Sequence, residues 1–236
     1  MAADYVYMRG ESFPLTQNVN ARRVDGTCPL IAGCTRMLLY YDAAPIRIHQ
    51  AQLRLERRFA DRLGFLVGYT LGSAKSIADQ GTPSDKYNLM ADWGPTSNDV
   101  RHRFVGNVVY ELPYGIQAGG IVSASSAPPF NITLGSDANR DGDNNDRPAD
   151  VGFNAGRGDR YFTADLRLSK KFDLRKARGE VLWEMFNLFN TVNFNNYQGN
   201  QSAAPGTTAT GIPTGFGRPR QAYDAFQAQL GLKLTF

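Results

Sequence analysis

Long segments in which apolar and polar side chains alternate constrain this sequence more than any other feature. At the carboxyl end the apolar positions are Phe226, Ala228, Leu230, Leu232, Leu234 and Phe236, with small or polar residues between them. Because successive side chains of a β-strand point to opposite faces, this pattern predicts a strand with one apolar and one polar face. The same period of two recurs upstream, so the sequence predicts an all-β protein.

The predicted strands are separated by connections that alternate between short and long. The strands occupy approximately residues 2–9, 46–59, 63–76, 101–112, 115–130, 160–172, 178–189 and 223–236. The short connections lie at 60–62, 113–114 and 173–177, and the long polar ones at 77–100, 131–159 and 190–222. Residues 10–45 are predicted to form a further long loop, with a small hairpin at 36–42.

Strand length and connection pattern favour a membrane barrel over a soluble fold. A soluble β-sandwich also alternates apolar and polar positions, so alternation alone leaves both architectures open. The predicted strands run about 11–14 residues, against about 5–6 in globular proteins and about 9–11 in tilted membrane-spanning strands. Alternating short periplasmic turns and long outer loops are typical of outer-membrane barrels.

We therefore predict an antiparallel transmembrane β-barrel segment of about eight long strands, embedded in the lipid of a Gram-negative-type outer membrane, with its carboxyl end in the periplasm. Aromatic residues near strand ends would then form the girdles at the two membrane interfaces: Tyr69, Tyr110, Tyr161, Phe162, Trp183 and Tyr223. A soluble sandwich or solenoid that acts as a binding module is the alternative.

Composition excludes several other classes of protein. No stretch approaches the ~18 apolar residues of a membrane-spanning helix. The 14 Phe, 11 Tyr and 2 Trp can bury more surface than a disordered chain carries. The net charge of +4 is too small to indicate nucleic-acid binding. Because the sequence contains no nucleophile elbow, phosphate-binding loop or metal-ligand pair, we predict no enzymatic activity.

Four segments resemble the TonB-dependent outer-membrane receptors, specifically the Oar-like subgroup. These are Asp99–Gly106 leading into Tyr110–Pro113, the acidic segment Gly135–Pro148, Asn187–Asn190 followed by Val192–Phe194, and the closing strand ending at Phe236. The resemblance covers essentially the whole chain. It implies that residues 1–236 are the C-terminal part of a barrel of about 22 strands, a truncated gene product or a gene-model fragment.

Full members of this group also carry an N-terminal signal and a plug domain, and TonB acts through the plug. Residues 1–30 contain no basic segment followed by an apolar one, so no secretory signal is predicted, and no segment resembles a plug. TonB would therefore contact only a full-length parent. A complete eight-stranded barrel with a structural or adhesion role through its loops is the alternative.

The acidic segment contains a candidate calcium loop. Asp137, Asn139, Asp141, Asp143 and Asp146 place oxygen ligands at alternate positions around Gly142, which permits a sharp bend. Pro148 stands where a calcium loop would supply a bidentate Glu, and strands rather than helices flank the segment. A solvated outer loop rich in Asx turns is the competing interpretation, and no other cofactor is predicted.

Two further sets of residues have predicted roles. Cys28 and Cys34 lie six positions apart, which favours a local disulfide that closes a loop, with two free thiols as the alternative. The resemblance implies that Leu230, Leu232, Leu234 and Phe236 form the signal that the outer-membrane assembly machinery recognises. Pairing of this strand at an open sheet edge is a plausible physical basis.

Overall fold

The computed structural model describes residues 1–23, 25–77, 82–174, 177–207 and 213–235. Within these residues lie eight long strands, which we number in chain order. They are β1 (Ala2–Asn18), β2 (Leu38–Ala60), β3 (Leu63–Ser76), β4 (His102–Leu112), β5 (Ile116–Ser125), β6 (Tyr161–Leu174), β7 (Ala177–Phe186) and β8 (Gln227–Thr235). The all-β antiparallel prediction is confirmed.

The eight strands form one sheet in which every strand pairs with its sequence neighbour. The order is β1-β2-β3-β4-β5-β6-β7-β8, and all seven pairings are antiparallel. In such a meander, alternate connections lie at the same end of the sheet. The four long connections 19–37, 77–101, 126–160 and 187–226 therefore share one end, which we call the loop end. The short connections share the opposite end, the turn end.

The short turns follow from local backbone conformation. Asp61 and Arg62 both have positive φ, 48° and 68°, as the two central residues of a type I′ hairpin turn require. This turn matches the twist of the flanking strands. Tyr114 and Gly115, with φ of 67° and 69°, turn the chain between β4 and β5. The connection from β6 to β7 falls at residues 175–176, outside the described residues.

Several predicted boundaries are wrong. The first two strands are longer than predicted and pair from Ala2 with Arg54 to Asn18 with Leu38, so residues 36–42 form no separate hairpin. The apolar period is interrupted in this region because the ladder between the two strands shifts register near Phe13. Two other strands are shorter than predicted, because β5 ends at Ser125 and β7 ends at Phe186.

In the described parts of the loops, the regular elements are all short. Pairs of short strands join Pro129–Phe130 with Gly156–Arg157, Phe194–Tyr197 with Pro219–Ala222, and Gly206–Thr207 with Pro213–Thr214, while Gly94–Pro95 extends the end of β3. Two 3₁₀ turns occur, at Leu89–Asp92 and Pro113–Gly115. Among the described residues, no helix is long and apolar enough to cross a membrane.

The sheet has little apolar core of its own. One buried cluster, Leu15, Ala44 and Ile77, lies at the loop end and packs with Tyr41, Leu89 and Trp93. Many large apolar side chains on the strands are exposed instead, and Leu230 and Leu232 are 78% and 65% exposed. Within the described residues no second sheet covers them, which excludes the β-sandwich alternative for this part of the chain.

Candidate functional site: the polar face and the loop cap

The two faces of the sheet differ in chemistry along all eight strands. Residues directly opposite one another on neighbouring strands lie on the same face, and we call such a set a row. One row consists of Leu63, Tyr110, Ala118, Leu168, Trp183 and Leu230. The next rows on that face are also apolar, for example Phe65, Val108, Gly120, Leu166, Met185 and Ala228. We call this surface the apolar face.

Aromatic residues mark both margins of the apolar face. Tyr69, Phe104 and Phe162 fall in one row near the loop end. Tyr110 and Trp183 fall in a row six residues away along β4. At ~3.4 Å per residue the two rows are about 20 Å apart along the strands, close to the height of the apolar band of an outer-membrane barrel. The apolar face thus has the dimensions of a lipid-facing surface.

The opposite surface, the polar face, carries charged and amide side chains. Gln229, Glu184 and Arg167 occupy one of its rows. The Arg167 guanidinium lies 3.4 Å from the Glu184 carboxylate, and the Gln229 amide donates a 2.6 Å hydrogen bond to that carboxylate. Further polar residues on this face are Arg54, Thr70, Arg103, Asn107, Gln117 and Thr163. This surface suits contact with water and with polar solutes.

Two of the predicted girdle residues lie elsewhere. Tyr161 directly precedes Phe162 in β6, so the two side chains must point to opposite faces, and Tyr161 lies on the polar face. Its ring meets that of Tyr223 edge-on, with 5.3 Å between centroids. Sequence position near a strand end did not reveal this, because only the register decides the face.

The aromatic pair lines a cavity where the polar face meets the loop end. The cavity has a volume of about 370 Å³, and its wall includes Tyr161, Thr163, Asp165, Phe186, Tyr223 and Gln227. The Asp165 carboxylate accepts a 2.9 Å hydrogen bond from the backbone N–H of Asn187. Aromatic rings beside a carboxylate and a hydroxyl are the groups that bind and orient small polar ligands. This cavity is the best candidate for solute contact on the polar face.

The Asn-rich segment after β7 anchors its loop to the wall. Asn193 is buried, and its amide donates to the Phe162 carbonyl at 2.8 Å while its oxygen accepts from the Phe162 N–H at 2.7 Å. Asn187 and Asn190 adopt positive φ, 49° and 51°, which Asn tolerates better than other side chains. The sequence predicts only a long polar connection at residues 190–222. The Asn spacing alone does not identify the anchor, because the partner Phe162 lies 31 positions upstream.

The loops between β3 and β4 and between β5 and β6 pack together into a structure that we call the loop cap, residues 82–101 and 126–160. Lys86 lies at its centre, with a side chain only 1% exposed. The Lys86 ammonium is 2.9 Å from both the Asp141 and the Asp143 carboxylates and donates a 2.8 Å hydrogen bond to the Pro83 carbonyl. Because the charges are removed from water, each depends on its partners.

A second buried ion pair joins the same two loops. Arg147 contacts the Asp92 carboxylate and donates a 2.7 Å hydrogen bond to the Ala91 carbonyl. The same carboxylate accepts from the N–H and the hydroxyl of Ser84, at 2.7 and 2.6 Å. Gly94 permits the close approach, since a Cβ there would lie 2.5 Å from the Phe153 carbonyl oxygen. Both loops are thus held in one arrangement.

Asp99 connects the loop cap to the wall. Its carboxylate accepts a 2.7 Å hydrogen bond from the Ala74 N–H in β3. It also lies 2.7 Å from the guanidinium of Arg157, a residue shortly before β6. Asp99 opens the first of the segments that resemble the TonB-dependent receptors. A carboxylate at this position therefore joins the end of β3 to the segment that precedes β6.

The acidic segment forms a compact turn within the loop cap. The Asp137 carboxylate accepts from the N–H groups of Asp141 and Gly142, at 2.9 and 3.0 Å. Asp146 accepts from the N–H groups of Ala138 and Asn139, at 2.6 and 3.0 Å. These are the contacts of an Asx-rich turn.

The calcium assignment for this segment stays a prediction. The Lys86 ammonium lies against two of the predicted ligands, Asp141 and Asp143. Among the described residues, no three His, Cys, Asp or Glu side chains are grouped as a metal site would need. Calcium would have to displace the Lys86 ammonium from these two carboxylates. If the segment binds calcium, millimolar calcium should protect this turn from proteolysis. Equal cleavage with calcium and with a chelator would contradict it.

The first long loop also contacts the loop cap. Cys28 and Cys34 are joined in a disulfide, with Cα atoms 5.2 Å apart. Arg36 lies 3.1 Å from the Asp143 carboxylate, and the Tyr87 hydroxyl donates a 2.8 Å hydrogen bond to the Ala21 carbonyl. Three loops are therefore linked near Lys86.

The predicted assembly residues Leu230, Leu232 and Leu234 lie on the apolar face of β8, where all three are exposed. Phe236 falls outside the described residues. Exposed apolar side chains in a row of this kind are typical of a surface that contacts lipid or another protein.

A family profile of the outer membrane beta-barrel domain matches residues 10–152 and 149–229. The chain belongs to this family. The match includes most of the wall and the loop cap, and membership of this family indicates the outer membrane as the setting of the chain. No curated protein sequence matches the chain.

The fold is similar to that of the outer membrane transporter YddB from Escherichia coli, with a TM-score of 0.56 at 15% sequence identity. The likeness covers 98% of this chain but 29% of YddB, so the chain spans less than a third of that transporter. At this identity the likeness concerns the fold alone. It supports the wall of an outer-membrane barrel as the fold of this chain.

Proposed function

We propose that the chain is the C-terminal part of the barrel of a TonB-dependent outer-membrane receptor of the Oar-like kind, and that it forms part of the wall of a substrate-uptake channel. The apolar face meets lipid and the polar face lines the channel. The backbone groups of the strands bond within the sheet, because lipid offers them no partner. Energy coupling through TonB would belong to a plug outside this chain.

The open edges of the sheet carry this proposal. Among the described residues, the outer edges of β1 and β8 pair with no other strand. An isolated sheet with two exposed edges cannot remain in a bilayer, since unpaired N–H and C=O groups there are costly. A complete eight-stranded barrel would require β1 to pair with β8. The likeness covers 29% of the whole YddB chain, which supports further strands instead.

Orientation follows from the same proposal. Outer-membrane barrels place short turns in the periplasm and long loops outside. The loop cap would then face the medium and would stand above the cavity near Tyr161, where an incoming solute arrives first. The Asp61–Arg62 turn and the end of β8 would lie in the periplasm.

Genomic sequence upstream of Met1 tests the receptor assignment most directly. We expect an in-frame signal, a plug and about 14 further strands, as a barrel of about 22 strands requires. A stop codon followed by a dedicated signal peptide directly before this chain would contradict the assignment and would favour the complete small barrel.

Cysteine labelling tests the orientation separately. A membrane-impermeant maleimide should label Asn144→Cys in intact cells expressing the parent protein, because the residue lies in the loop cap. Asp61→Cys, in a turn, should be labelled only after the outer membrane is permeabilised. The reverse pattern would overturn the orientation.

The assembly role of β8 is also proposed. Leu230, Leu232, Leu234 and Phe236 would present an apolar closing strand to the outer-membrane assembly machinery. Deleting Phe236 from the parent protein should lower its level in the outer membrane, whereas deleting a residue from the loop 19–37 should not. Normal membrane levels after the Phe236 deletion would contradict this role.

A further inference from the structure

We infer that the cavity beside Tyr161 binds a small organic cation, an ammonium group carried on a compact apolar body. Its wall contains the rings of Tyr161 and Tyr223 and the carboxylates of Asp165 and Asp224. The volume of about 370 Å³ lies near the lower end of the roughly 300–1,000 Å³ of small-molecule sites. The inference names the class of solute that the channel wall contacts, and in this respect it rests on the proposed function.

The charged groups of the cavity are carboxylates. Among the described residues that line it are Asp165 and Asp224 but no Lys, Arg or His. One Asp165 oxygen accepts the 2.9 Å hydrogen bond from the Asn187 N–H. Within the described part of the chain, the other Asp165 oxygen accepts no hydrogen bond, and neither carboxylate forms an ion pair. Both carboxylates therefore remain available to a cationic ligand.

The cations elsewhere on the polar face do not neutralise the cavity. Arg167 lies two residues from Asp165 in β6, but its guanidinium is 3.4 Å from the Glu184 carboxylate. Arg103 falls in the row of Tyr161 two strands away, a separation of about 10 Å at ~4.8 Å per strand. Physiological salt largely screens an exposed charge at that distance. The cavity therefore attracts positive rather than negative solutes.

The aromatic rings give the cavity a second means of binding a cation. The rings of Tyr161 and Tyr223 meet at an angle of 77°, so they form two walls of a corner. Phe186 adds a third ring from the row that it shares with Gln227. Tyr223 and Phe186 are 54% and 40% exposed, which leaves ring surface free for a ligand. The negative face of an aromatic ring attracts a cation, most strongly where water is excluded.

Two buried asparagines hold these groups in place. The Asn187 N–H bonds to Asp165, and the Asn187 amide donates a 3.1 Å hydrogen bond to the Asp224 carbonyl. Asn193, which anchors its loop to β6, accepts a 2.8 Å hydrogen bond from the Tyr223 N–H through its carbonyl. Both asparagines are at most 4% exposed. Carboxylates and rings fixed in advance lower the entropy cost of binding a ligand.

Equilibrium dialysis with radiolabelled choline tests this inference on the protein as its gene encodes it, purified in neutral detergent. Choline presents a trimethylammonium group, and 3,3-dimethylbutan-1-ol has the same shape without the charge. We expect choline to bind at millimolar or lower concentration. The neutral alcohol should compete at least tenfold more weakly, because it gains neither the attraction of the carboxylates nor that of the ring faces.

A pair of variants tests the carboxylates. Asp165→Asn/Asp224→Asn keeps the shape of both side chains, and the new amide oxygen can still accept from the Asn187 N–H. This variant should bind choline at least tenfold more weakly. The control Asp4→Asn/Glu180→Gln removes the same charge from the polar face outside the cavity and should change the affinity less than twofold.

A second pair of variants tests the rings. Tyr223→Leu removes a ring and should weaken choline binding about fivefold, as expected for one partly desolvated cation–π contact. Tyr223→Phe keeps the ring and should bind choline within twofold of the unmodified protein. Equal loss in both variants would mean that the hydroxyl group, not the ring, contacts the ligand, and would contradict the aromatic part of the site.

Several results would overturn the inference as a whole. These are no choline binding at tens of millimolar, equal affinity for the neutral alcohol, or equal loss in the carboxylate variant and its control. Tighter binding of maltose than of choline would identify a saccharide site instead. The measurement requires neither an orientation nor a plug. Choline binding by a protein with a dedicated signal peptide directly before Met1 would therefore refute the receptor assignment and leave the site in place.

Discussion

The wall and the loop cap are stabilised in opposite ways. In the wall, backbone hydrogen bonds join eight strands while apolar side chains such as Leu230 remain exposed. In the loop cap, ion pairs around Lys86 and Asp92 are buried and few backbone ladders exist. The wall uses lipid as the solvent for its side chains, so its sequence needs little internal packing. The loop cap stands in water and must bury polar groups with their partners.

The largest expected effect concerns the loop cap. Lys86→Met removes the ammonium and leaves the Asp141 and Asp143 carboxylates without it, which should destabilise the loop cap by about 3–5 kcal/mol. Hydrogen exchange at the amides of residues 82–92 and 137–146 should accelerate strongly, while exchange in the wall should not change. The exposed control Lys171→Met should leave both regions as they are. Faster exchange in the wall as well would contradict the separation of the two regions.

A new charge should destabilise the wall when it is placed on the apolar face but not when it is placed on the polar face. Val108 lies on the apolar face between the two aromatic rows, and Asn107 lies on the polar face. Val108→Arg should lower the free energy of unfolding from lipid vesicles by about 2–4 kcal/mol, because the charge meets the bilayer midplane. Asn107→Arg should change it by less than about 1 kcal/mol. Equal costs measured in urea titrations would contradict the assignment of the faces.

The disulfide should have a local effect of intermediate size. Replacing Cys28 and Cys34 by Ser frees a short loop, and chain-entropy arguments give a cost of about 2 kcal/mol. Protease cleavage within residues 19–37 should become faster, while the Lys86 contacts keep residues 82–92 protected. Cleavage that spreads to residues 82–92 would mean that the first loop supports the loop cap rather than resting on it.

The smallest effect is a pH dependence in the last long loop. Burial, and then the hydrogen bond to Asp159, raises the pKa of Tyr197 to about 12. The folded loop therefore favours the protonated phenol, and this contribution is complete below pH 10 and is lost as the pH rises through 12. The difference in tyrosinate absorbance between the unmodified chain and Tyr197→Phe should show one group with a midpoint near 12. A midpoint near 10 would contradict this interpretation.

The difference between the wall and the loop cap also explains which parts of the structure the sequence could predict. The alternation of apolar and polar residues identified the wall. Each strand of the wall needs one apolar face, and this need is visible within the strand's own sequence. The face of Tyr161 and the extension of β1 to Asn18 were not predictable, since they depend on register and on a bulge near Phe13.

The contacts of the loop cap were less accessible to sequence analysis. Lys86 and Asp141 are 55 positions apart, and the pairing of two such charges leaves no periodic pattern. The acidic segment was recognised as a turn rich in oxygen ligands, but its cationic partner was not. The Asn193 anchor was missed for the same reason, because its partner Phe162 lies 31 positions upstream.

The bridge through Asp99 has a consequence for the shape of the wall at its loop end. One carboxylate holds Ala74 at the end of β3 and Arg157 just before β6, so it spans four consecutive strands. Its short contacts fix the separation of those strand ends. Strands paired at either edge of the sheet would change the rest of the rim, but the part formed by β3 to β6 keeps its width while the bridge is intact.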